Sequence, residues 1–283
     1  MDARTPVQFG FEGEWKAFSE SHSEFMNRFP RLMDLVDQTF TRTIETASPI
    51  DRVVFFLGRL IVEDFMEIVL LCGNGYGVAG LKILRGMYER VVTASYLSKN
   101  PTEVDQFLDY HRVQEWKLYK RAEETYRDKP LMSVGQKEEM KRGYEEVKDR
   151  FMESLCQRCE TTRLQMSWSK LDTASMALKA GGGLNKLYMS CYLFPTLQSH
   201  ATVSSLFTRM KATPEGGIAF DADAQSGLVD WALLSAHLLM LQAIETQNQH
   251  FSLGPDSPLQ DVNQDFLAVW KKSPDAAADA MPA

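Results

Sequence analysis

The chain has 283 residues, of which 44% are apolar and 24% charged, and these are ordinary values for a globular protein. Its 31 basic and 38 acidic residues give a formal net charge of -7. This charge argues against a broad nucleic-acid-binding surface and against electrostatic attachment to an anionic membrane. With 17 glycines and 11 prolines, the composition also excludes fibrous and low-complexity proteins.

The N-terminal segment and the apolar runs bear on location. The first four residues are followed by mixed polar sequence, not by the apolar core of a signal peptide. The best membrane-span candidate, Val53 to Cys72, carries four charged residues that would be costly in lipid: Arg59, Glu63, Asp64 and Glu67. Four cysteines are too few for a disulfide framework in a chain this long. We therefore expect a soluble, cytoplasmic protein that does not enter a membrane and keeps its thiols reduced.

Apolar residues recur at spacings of three and four along most of the chain, and this period predicts helices. Strand-like alternation is almost absent, apart from a possible hairpin near 210–220. The predicted fold class is all-α, a helical bundle of about eight to ten helices. The predicted helices are 12–29, 31–46, 49–72, 77–99, 101–127, 134–159, 172–180, 184–200, 225–250 and 258–271. The four that we expect at the centre of the bundle are 49–72, 77–99, 101–127 and 225–250.

Helix-start signals and composition suggest three segments. Ser48-Pro49-Ile50-Asp51 combines a capping hydroxyl, a proline at the first helical position and an acid in the first turn. The tail from Ser273 consists mainly of alanine, aspartate and proline, which predicts disorder. We expect an N-terminal helical extension, a helical bundle core domain, and a short helix with a disordered tail, at residues 1–47, 48–250 and 251–283.

Two short motifs could in principle hold a cofactor or a metal. Gly75 to Gly80 fits G-x-G-x-x-G, but a helix rather than a strand precedes it. A tight turn between close-packed helices is therefore the better interpretation. Cys156 and Cys159 form a single C-x-x-C with no second pair, so incidental cysteines are favoured over zinc. The sequence predicts neither a cofactor nor a metal.

Two charged residues lie on helical stripes that are otherwise apolar. Asp64 shares its stripe with leucines and isoleucines, and Arg85 occupies a similar position on the next predicted helix. A tight turn at Asn74-Gly75 makes these helices antiparallel neighbours, with Asp64 and Arg85 at similar heights. Because a buried charge needs a partner, we expect these two residues to form a buried ion pair. Such a pair could be structural or part of a site.

Three histidines also fall at informative positions. His111 and His237 lie on apolar helical stripes, where a histidine is usually a hydrogen-bonded core residue. His200 differs because it lies where a helix ends, among several hydroxyl residues. Functional residues concentrate at such element ends. His200 is therefore the histidine that we consider for a functional role.

The order of these residues resembles a known family. The resemblance covers about residues 50–245 and is carried by Asp64, Leu84-Arg85-Gly86-Met87-Tyr88-Glu89, Phe107-Leu108-Asp109-Tyr110, Trp168-Ser169, Tyr188, Ser199-His200 and Ser204-Ser205-Leu206. In this order the residues resemble the bacterial family catalogued as domain of unknown function 5677. That family is all-helical and has no assigned activity. The resemblance implies a fold and a set of residues, but no reaction.

We expect a single site where His200 meets Arg85 and Glu89, the three candidate catalytic residues. The candidate ligand-binding residues are Asp64, Trp168, Tyr188 and Ser204. The first interpretation is binding of a small anion or a protein partner without catalysis, because arginine holds phosphate and carboxylate groups.

The alternative is a helical acid–base hydrolase, such as an RNA-cleaving defence or toxin-type effector, with His200 moving the proton. A metal site built on Asp64, Glu89 and histidines has no supporting spacing. The sequence leaves open whether the protein is an enzyme and whether it forms a homo-oligomer.

Overall fold

Helices make up most of the structure, a computed structural model that describes residues 10–11, 13–44, 48–127, 129–156, 161–254 and 257–270. Within these residues there are eleven α-helices and two antiparallel strand pairs, so the fold is all-α as predicted. The helices are α1 Glu14–Ser21, α2 Ser23–Phe40, α3 Pro49–Gly73, α4 Gly77–Lys99, α5 Val104–Thr125, α6 Val134–Val147, α7 Thr173–Ala180, α8 Phe194–Ser199, α9 Val203–Phe207, α10 Ser226–Phe251 and α11 Ser257–Trp270. The strands are β1 Met152–Cys156, β2 Thr161–Leu164, β3 Met210–Ala212 and β4 Ile218–Phe220. The predicted disordered tail and Cys159 lie outside the described residues.

The chain forms two compact units. The first comprises Met1–Lys99 and Thr173–Ala283, and the second comprises Asn100–Asp172. In the first unit α3, α4 and α10 pack against one another and form the core. The second unit contains α5, α6 and the β1–β2 hairpin, so α5 is not one of the central helices of the bundle, contrary to the prediction. The predicted division into residues 1–47, 48–250 and 251–283 does not correspond to these two units and remains a prediction.

The core follows from the apolar stripes of three helices. Residues without solvent exposure include Phe65 on α3, Leu84 on α4 and Leu233 on α10. At the start of α3, Ser48 and Asp51 form the predicted capping box, in which each side chain accepts a backbone N–H of the other residue. By length and composition alone, α10 could cross a membrane, although 61% of its most apolar window is buried inside the protein. Among the described helices α10 is the one that meets these criteria, and the sequence candidate Val53 to Cys72 does not.

The glycine-rich turn between α3 and α4 brings α4 close to α10. Gly75 adopts a positive φ of 81°, and a Cβ on Gly77 would lie 2.7 Å from the backbone nitrogen of Val229. The same Cβ would lie 2.8 Å from the carbonyl oxygen of Gln225. Backbone atoms cannot yield as a flexible side chain can, so Gly77 permits the close approach of two helices. This supports the helix-packing interpretation of G-x-G-x-x-G over the dinucleotide-binding one.

Gly77→Ala is therefore expected to lower the free energy of unfolding by about 1–3 kcal/mol, the usual cost of overpacking. Gly227→Ala is the matched control, because nothing lies within 4 Å of a Cβ at Gly227 near the start of α10. The control should be as stable as the wild type or slightly more stable, since alanine is the better helix former. Urea denaturation of both variants tests this, and equal stability of the two would contradict the close approach at Gly77.

Several predicted boundaries differ from the observed ones. Pro30 lies inside α2, and the break between the first two helices falls at His22. The predicted helix 134–159 ends at Val147, and β1 and β2 follow it. The segment 184–200 is not one helix, because a 3₁₀ turn at Leu184–Leu187 and a π-helical turn at Met189–Leu193 precede α8. The hairpin predicted near 210–220 is confirmed as β3 and β4.

Candidate functional site

Arg85 lies on α4 and makes contacts with three residues of the first unit. Its Nη1 atom is 3.2 Å from Nε2 of His200. Its Nη2 atom is 3.7 Å from Oε1 of Glu89, one helical turn further along. The guanidinium carbon lies 5.3 Å from the ring centre of Tyr192, a cation–π arrangement. Arg85, Glu89 and His200 thus lie together, although the sequence separates Arg85 from His200 by 115 residues.

The contact with Arg85 indicates which tautomer of His200 forms this hydrogen bond. A guanidinium has only donors, so Nε2 of His200 must accept the hydrogen bond with its lone pair. In the neutral imidazole that accepts it, the proton lies on Nδ1. His200 is exposed and terminates α8. Within the described residues, no carboxylate lies within 4.0 Å of its ring nitrogens.

An aromatic pair forms the base of this site. The π-helical turn places Tyr192 under the guanidinium of Arg85, and the ring of Tyr188 stacks on Tyr192 at a centroid distance of 5.1 Å. Tyr188 is therefore one ring away from Arg85. Tyr192 was not among the sequence candidates, although its spacing of four from Tyr188 is a helical-neighbour signal.

Asp64 does not pair with Arg85, and the predicted ion pair is wrong. Its Oδ2 atom instead accepts a hydrogen bond from Nη1 of Arg90. The Arg90 side chain runs back towards the start of α4, as helical side chains do, and its Nη1 atom would lie 3.3 Å from a Cβ on Gly86. The absence of a side chain at Gly86 leaves room for the guanidinium. The prediction failed because it matched residues by height and ignored the direction of the arginine side chain.

Burial governs the titration of Asp64. Its side chain is 11% exposed, whereas that of Arg90 is 36% exposed. Burial raises the pKa of the Asp64 carboxyl above its ordinary value, and the Arg90 charge opposes this rise without cancelling it. Asp64 and Arg90 therefore form a half-buried ion pair between α3 and α4, apart from the contacts of Arg85 with His200 and Glu89.

Comparison with known proteins places the chain in a family. A family model described as "Family of unknown function (DUF5677)" matches residues 51–218, which is more than half of the chain. The chain belongs to this family. No curated protein and no solved structure matches it. The predicted family resemblance is confirmed, and the DUF5677 region contains Asp64, Arg85, Glu89, Arg90 and His200.

The other candidates in the DUF5677 region have structural surroundings of their own. The backbone carbonyl of Ser204 accepts a hydrogen bond of 2.8 Å from the hydroxyl of Thr208. Trp168 belongs to the second unit, where it is buried and packs edge-on against Phe107 at 5.3 Å. The grouping of Trp168 and Ser204 with Arg85 remains a prediction.

The two remaining histidines have opposite surroundings. His111 was expected in the core, but its side chain is 69% exposed and lies 3.2 Å from Glu115. His111 therefore lies on the solvent-facing side of α5, next to the buried Tyr110. His237 is buried, and its Nδ1 atom accepts a hydrogen bond of 3.2 Å from Nε1 of Trp270. His237 is thus a hydrogen-bonded core residue, as predicted.

The described residues contain no cluster of three or more His, Cys, Asp or Glu side chains that could hold a metal ion. Asp64 and Glu89 have basic partners instead, namely Arg90 and Arg85. Both carboxylates are thus already engaged with guanidinium groups.

Proposed function

We propose that Arg85 and His200 bind an anionic group, a phosphate or carboxylate, without catalysing a reaction. The observation that carries this proposal is that the Arg85 guanidinium is incompletely hydrogen-bonded. Its Nε atom is buried and has no hydrogen-bond partner, and its Nη2 atom lies a long 3.7 Å from Glu89. An unpaired buried donor costs about 1–3 kcal/mol. A bidentate acceptor placed against Nε and Nη2 would satisfy both atoms.

The neighbouring groups support an anion rather than another ligand. The Arg85 fork matches the geometry of phosphate and carboxylate oxygens. His200 can contribute a second donor once an anion displaces its hydrogen bond from Arg85, since the ring can then turn its N–H group towards the anion. Glu89 is the only carboxylate within 4.0 Å of Arg85 among the described residues, and its side chain is 43% exposed and free to move aside.

Binding is favoured over the acid–base hydrolase because, in the part of the chain that the structure describes, no carboxylate or carbonyl orients the His200 ring. A general base usually has its second ring nitrogen fixed by a carboxylate or carbonyl. The described contact of His200 is with the Arg85 guanidinium and not with a carboxylate. The overall charge of -7 also disfavours a polyanionic RNA substrate.

Arg85→Met is expected to weaken the binding of inorganic phosphate at least tenfold, because methionine keeps the stem and removes the donors. Isothermal titration calorimetry measures the affinity, and the chemical shifts of the His200 ring report the place of binding. The control is Arg121→Met on α5, whose arginine side chain is 83% exposed and paired within its own helix. Equal phosphate affinity of wild type and Arg85→Met would contradict the proposal, and so would a wild type that binds no phosphate at millimolar concentration.

A further inference from the structure

Three helix ends of the first unit meet at a chain of two hydrogen bonds. Ser98 lies in the last turn of α4, His250 in the last turn of α10 and Asp51 in the first turn of α3. The Oγ atom of Ser98 is 3.0 Å from Nδ1 of His250. The Nε2 atom of His250 is 2.9 Å from Oδ1 of Asp51. Both distances are those of ordinary hydrogen bonds.

The Asp51 carboxylate sets the direction of both hydrogen bonds for a neutral His250 ring. Asp51 is a carboxylate and accepts, so Nε2 of His250 carries a proton and donates it. In the neutral imidazole Nδ1 then holds the lone pair and accepts from the Ser98 hydroxyl. The serine is therefore hydrogen-bonded to a base, and the base is oriented by a carboxylate, which is the arrangement of an activated nucleophile.

Asp51 is itself held in place by the start of α3. Its Oδ2 atom accepts a hydrogen bond of 3.0 Å from the backbone N–H of Ser48, and its Oδ1 atom faces His250. Hydrogen bonding with Ser48, and secondly with His250, holds the pKa of the Asp51 carboxyl below its ordinary value. The His250 side chain is 11% exposed, and its ring packs edge-on against Phe251. These contacts fix the ring of the base.

Ser98 is one of the residues that line a polar cavity of about 130 Å³. Lys99 also lines this cavity, and its Nζ atom donates a hydrogen bond to the carbonyl of Ala180, which ends α7. Across the cavity, the Glu245 carboxylate accepts hydrogen bonds from the amides of Gln242 at 2.9 Å and Gln249 at 3.1 Å. The cavity thus presents a nucleophile, an ammonium group and amide groups to a bound molecule.

We propose that Ser98, His250 and Asp51 form an acyl-transfer site that takes small polar esters or amides. The Ser98 Oγ atom attacks the carbonyl carbon while its proton passes to Nδ1 of His250, and the carbonyl electron pair moves onto oxygen. The nearby Lys99 ammonium stabilises that oxyanion. The oxyanion collapses, the bond to the leaving group breaks, and the leaving group departs with the proton from His250. Water then attacks the acyl-serine by the same steps and releases the acid.

The cavity limits the substrate class. A volume of about 130 Å³ accommodates a short acyl group and excludes a long-chain lipid or a folded peptide. The amides of Gln242 and Gln249 favour polar substituents on the substrate. This site is separate from the one proposed for anion binding, because Ser98 lies thirteen residues from Arg85 on α4, or about 20 Å along the helix axis.

A purely structural clasp of the three helix ends is the competing explanation. A clasp and an activated serine differ in reactivity, not in geometry. The test is therefore covalent labelling by a small alkyl fluorophosphonate, in which the Ser98 oxygen bonds to phosphorus and fluoride leaves. Peptide mass spectrometry locates the label, and circular dichroism melting records whether each variant is folded.

The full chain is expected to be labelled at Ser98, and Ser98→Ala to lose the label. His250→Gln should slow labelling at least 100-fold, since general-base catalysis commonly contributes 10²–10⁴-fold. Asp51→Asn keeps an acceptor for the Ser48 N–H. It should therefore slow labelling while the melting temperature stays close to that of the wild type. The matched control is Ser19→Ala on α1, whose hydroxyl donates a hydrogen bond of 2.8 Å to the carbonyl of Trp15 in its own helix.

The control should be labelled at the wild-type rate. Labelling at another serine, or no labelling of a folded wild type at millimolar reagent, would overturn the proposal. A lower melting temperature of Ser98→Ala combined with an unlabelled wild type would show a structural clasp only. Phosphate affinity at Arg85 is measured independently, so either proposal can fail without the other.

Discussion

Replacing Arg90 with methionine is expected to lower the free energy of unfolding at pH 7 by about 3 kcal/mol, the lower end of the cost of breaking a buried ion pair. The reason is the unequal burial of the pair. Asp64 is 11% exposed, so its carboxylate would stay in the protein interior without a counter-charge. Arg90 is 36% exposed, so loss of Asp64 would leave a guanidinium that water can still reach. Asp64→Asn should therefore cost less, about 1 kcal/mol.

The pH dependence of the Arg90→Met variant provides a second measurement. Burial already raises the pKa of Asp64, and loss of the arginine charge should raise this pKa further. An acid with a raised pKa in the folded state destabilises the protein fully above that pKa, and the penalty declines as the pH falls. The stability gap between wild type and Arg90→Met should therefore narrow from pH 7 towards pH 4.

A double variant separates the ion pair from other effects of the substitutions. Asp64→Leu combined with Arg90→Met removes both charges and places an apolar pair among the neighbouring apolar side chains of α3. This variant should be more stable than Arg90→Met alone, because no unpaired charge remains. Arg90→Met should be less stable than Asp64→Asn at pH 7. Equal or greater stability of Arg90→Met would show that unequal burial does not decide the cost of breaking this pair.

The period of the apolar residues was sufficient to predict the central helices. The predicted 49–72, 77–99 and 225–250 agree closely with α3, α4 and α10, since long apolar stripes and caps such as Ser48 act locally. The boundary at His22 and the hairpin after Val147 were not predicted, because tertiary packing decides whether Pro30 is tolerated and whether a short polar segment becomes a strand. The inclusion of α5 among the central helices failed for a similar reason, because periodicity does not show which helices share a core.

The sequence predicted part of the proposed anion site. The contact of Arg85 with Glu89 follows from their spacing of four, and His200 was selected because it lies at a helix end. Asp64 was assigned to the wrong arginine, since side-chain direction and the space above Gly86 are three-dimensional properties. The place of His200 beside Arg85 was expected, but no local pattern encodes the distance between them.

The contacts among Ser98, His250 and Asp51 could not be predicted from the local sequence around each residue. Each of these residues is ordinary on its own, because Ser98 and His250 end helices and Asp51 completes a capping box. They meet because α3 begins at the end of the bundle where α4 and α10 finish. The prediction of the three helices already implied that these ends could lie close together, and this was the signal that could have grouped the three residues.

Acidification is expected to destabilise the protein through His237, by about 3 kcal/mol between neutral pH and pH 4. The imidazole is 3% exposed and lies among aromatic rings, and burial lowers its pKa to about 4. In the unfolded chain its pKa is about 6.5. Between these values the unfolded state binds more protons, so stability is full above about pH 6.5 and falls as the pH decreases. A difference of about 2.5 units at 1.36 kcal/mol each gives the stated magnitude.

His237→Asn removes the imidazole that titrates. The asparagine amide oxygen can still accept the Trp270 N–H, which donates a hydrogen bond of 3.2 Å to Nδ1 of His237 in the wild type. The variant is expected to be less stable at neutral pH, because asparagine leaves part of the aromatic pocket empty. Its stability should nevertheless fall less steeply than that of the wild type from pH 6.5 to 4. Urea denaturation across this range gives the difference, in which carboxylates common to both proteins cancel. The matched control is His111→Asn, the same substitution at a histidine whose side chain is 69% exposed. Parallel slopes for wild type and His237→Asn would mean that the buried imidazole takes up its proton without unfolding, as a relaxed cavity with access to water would allow.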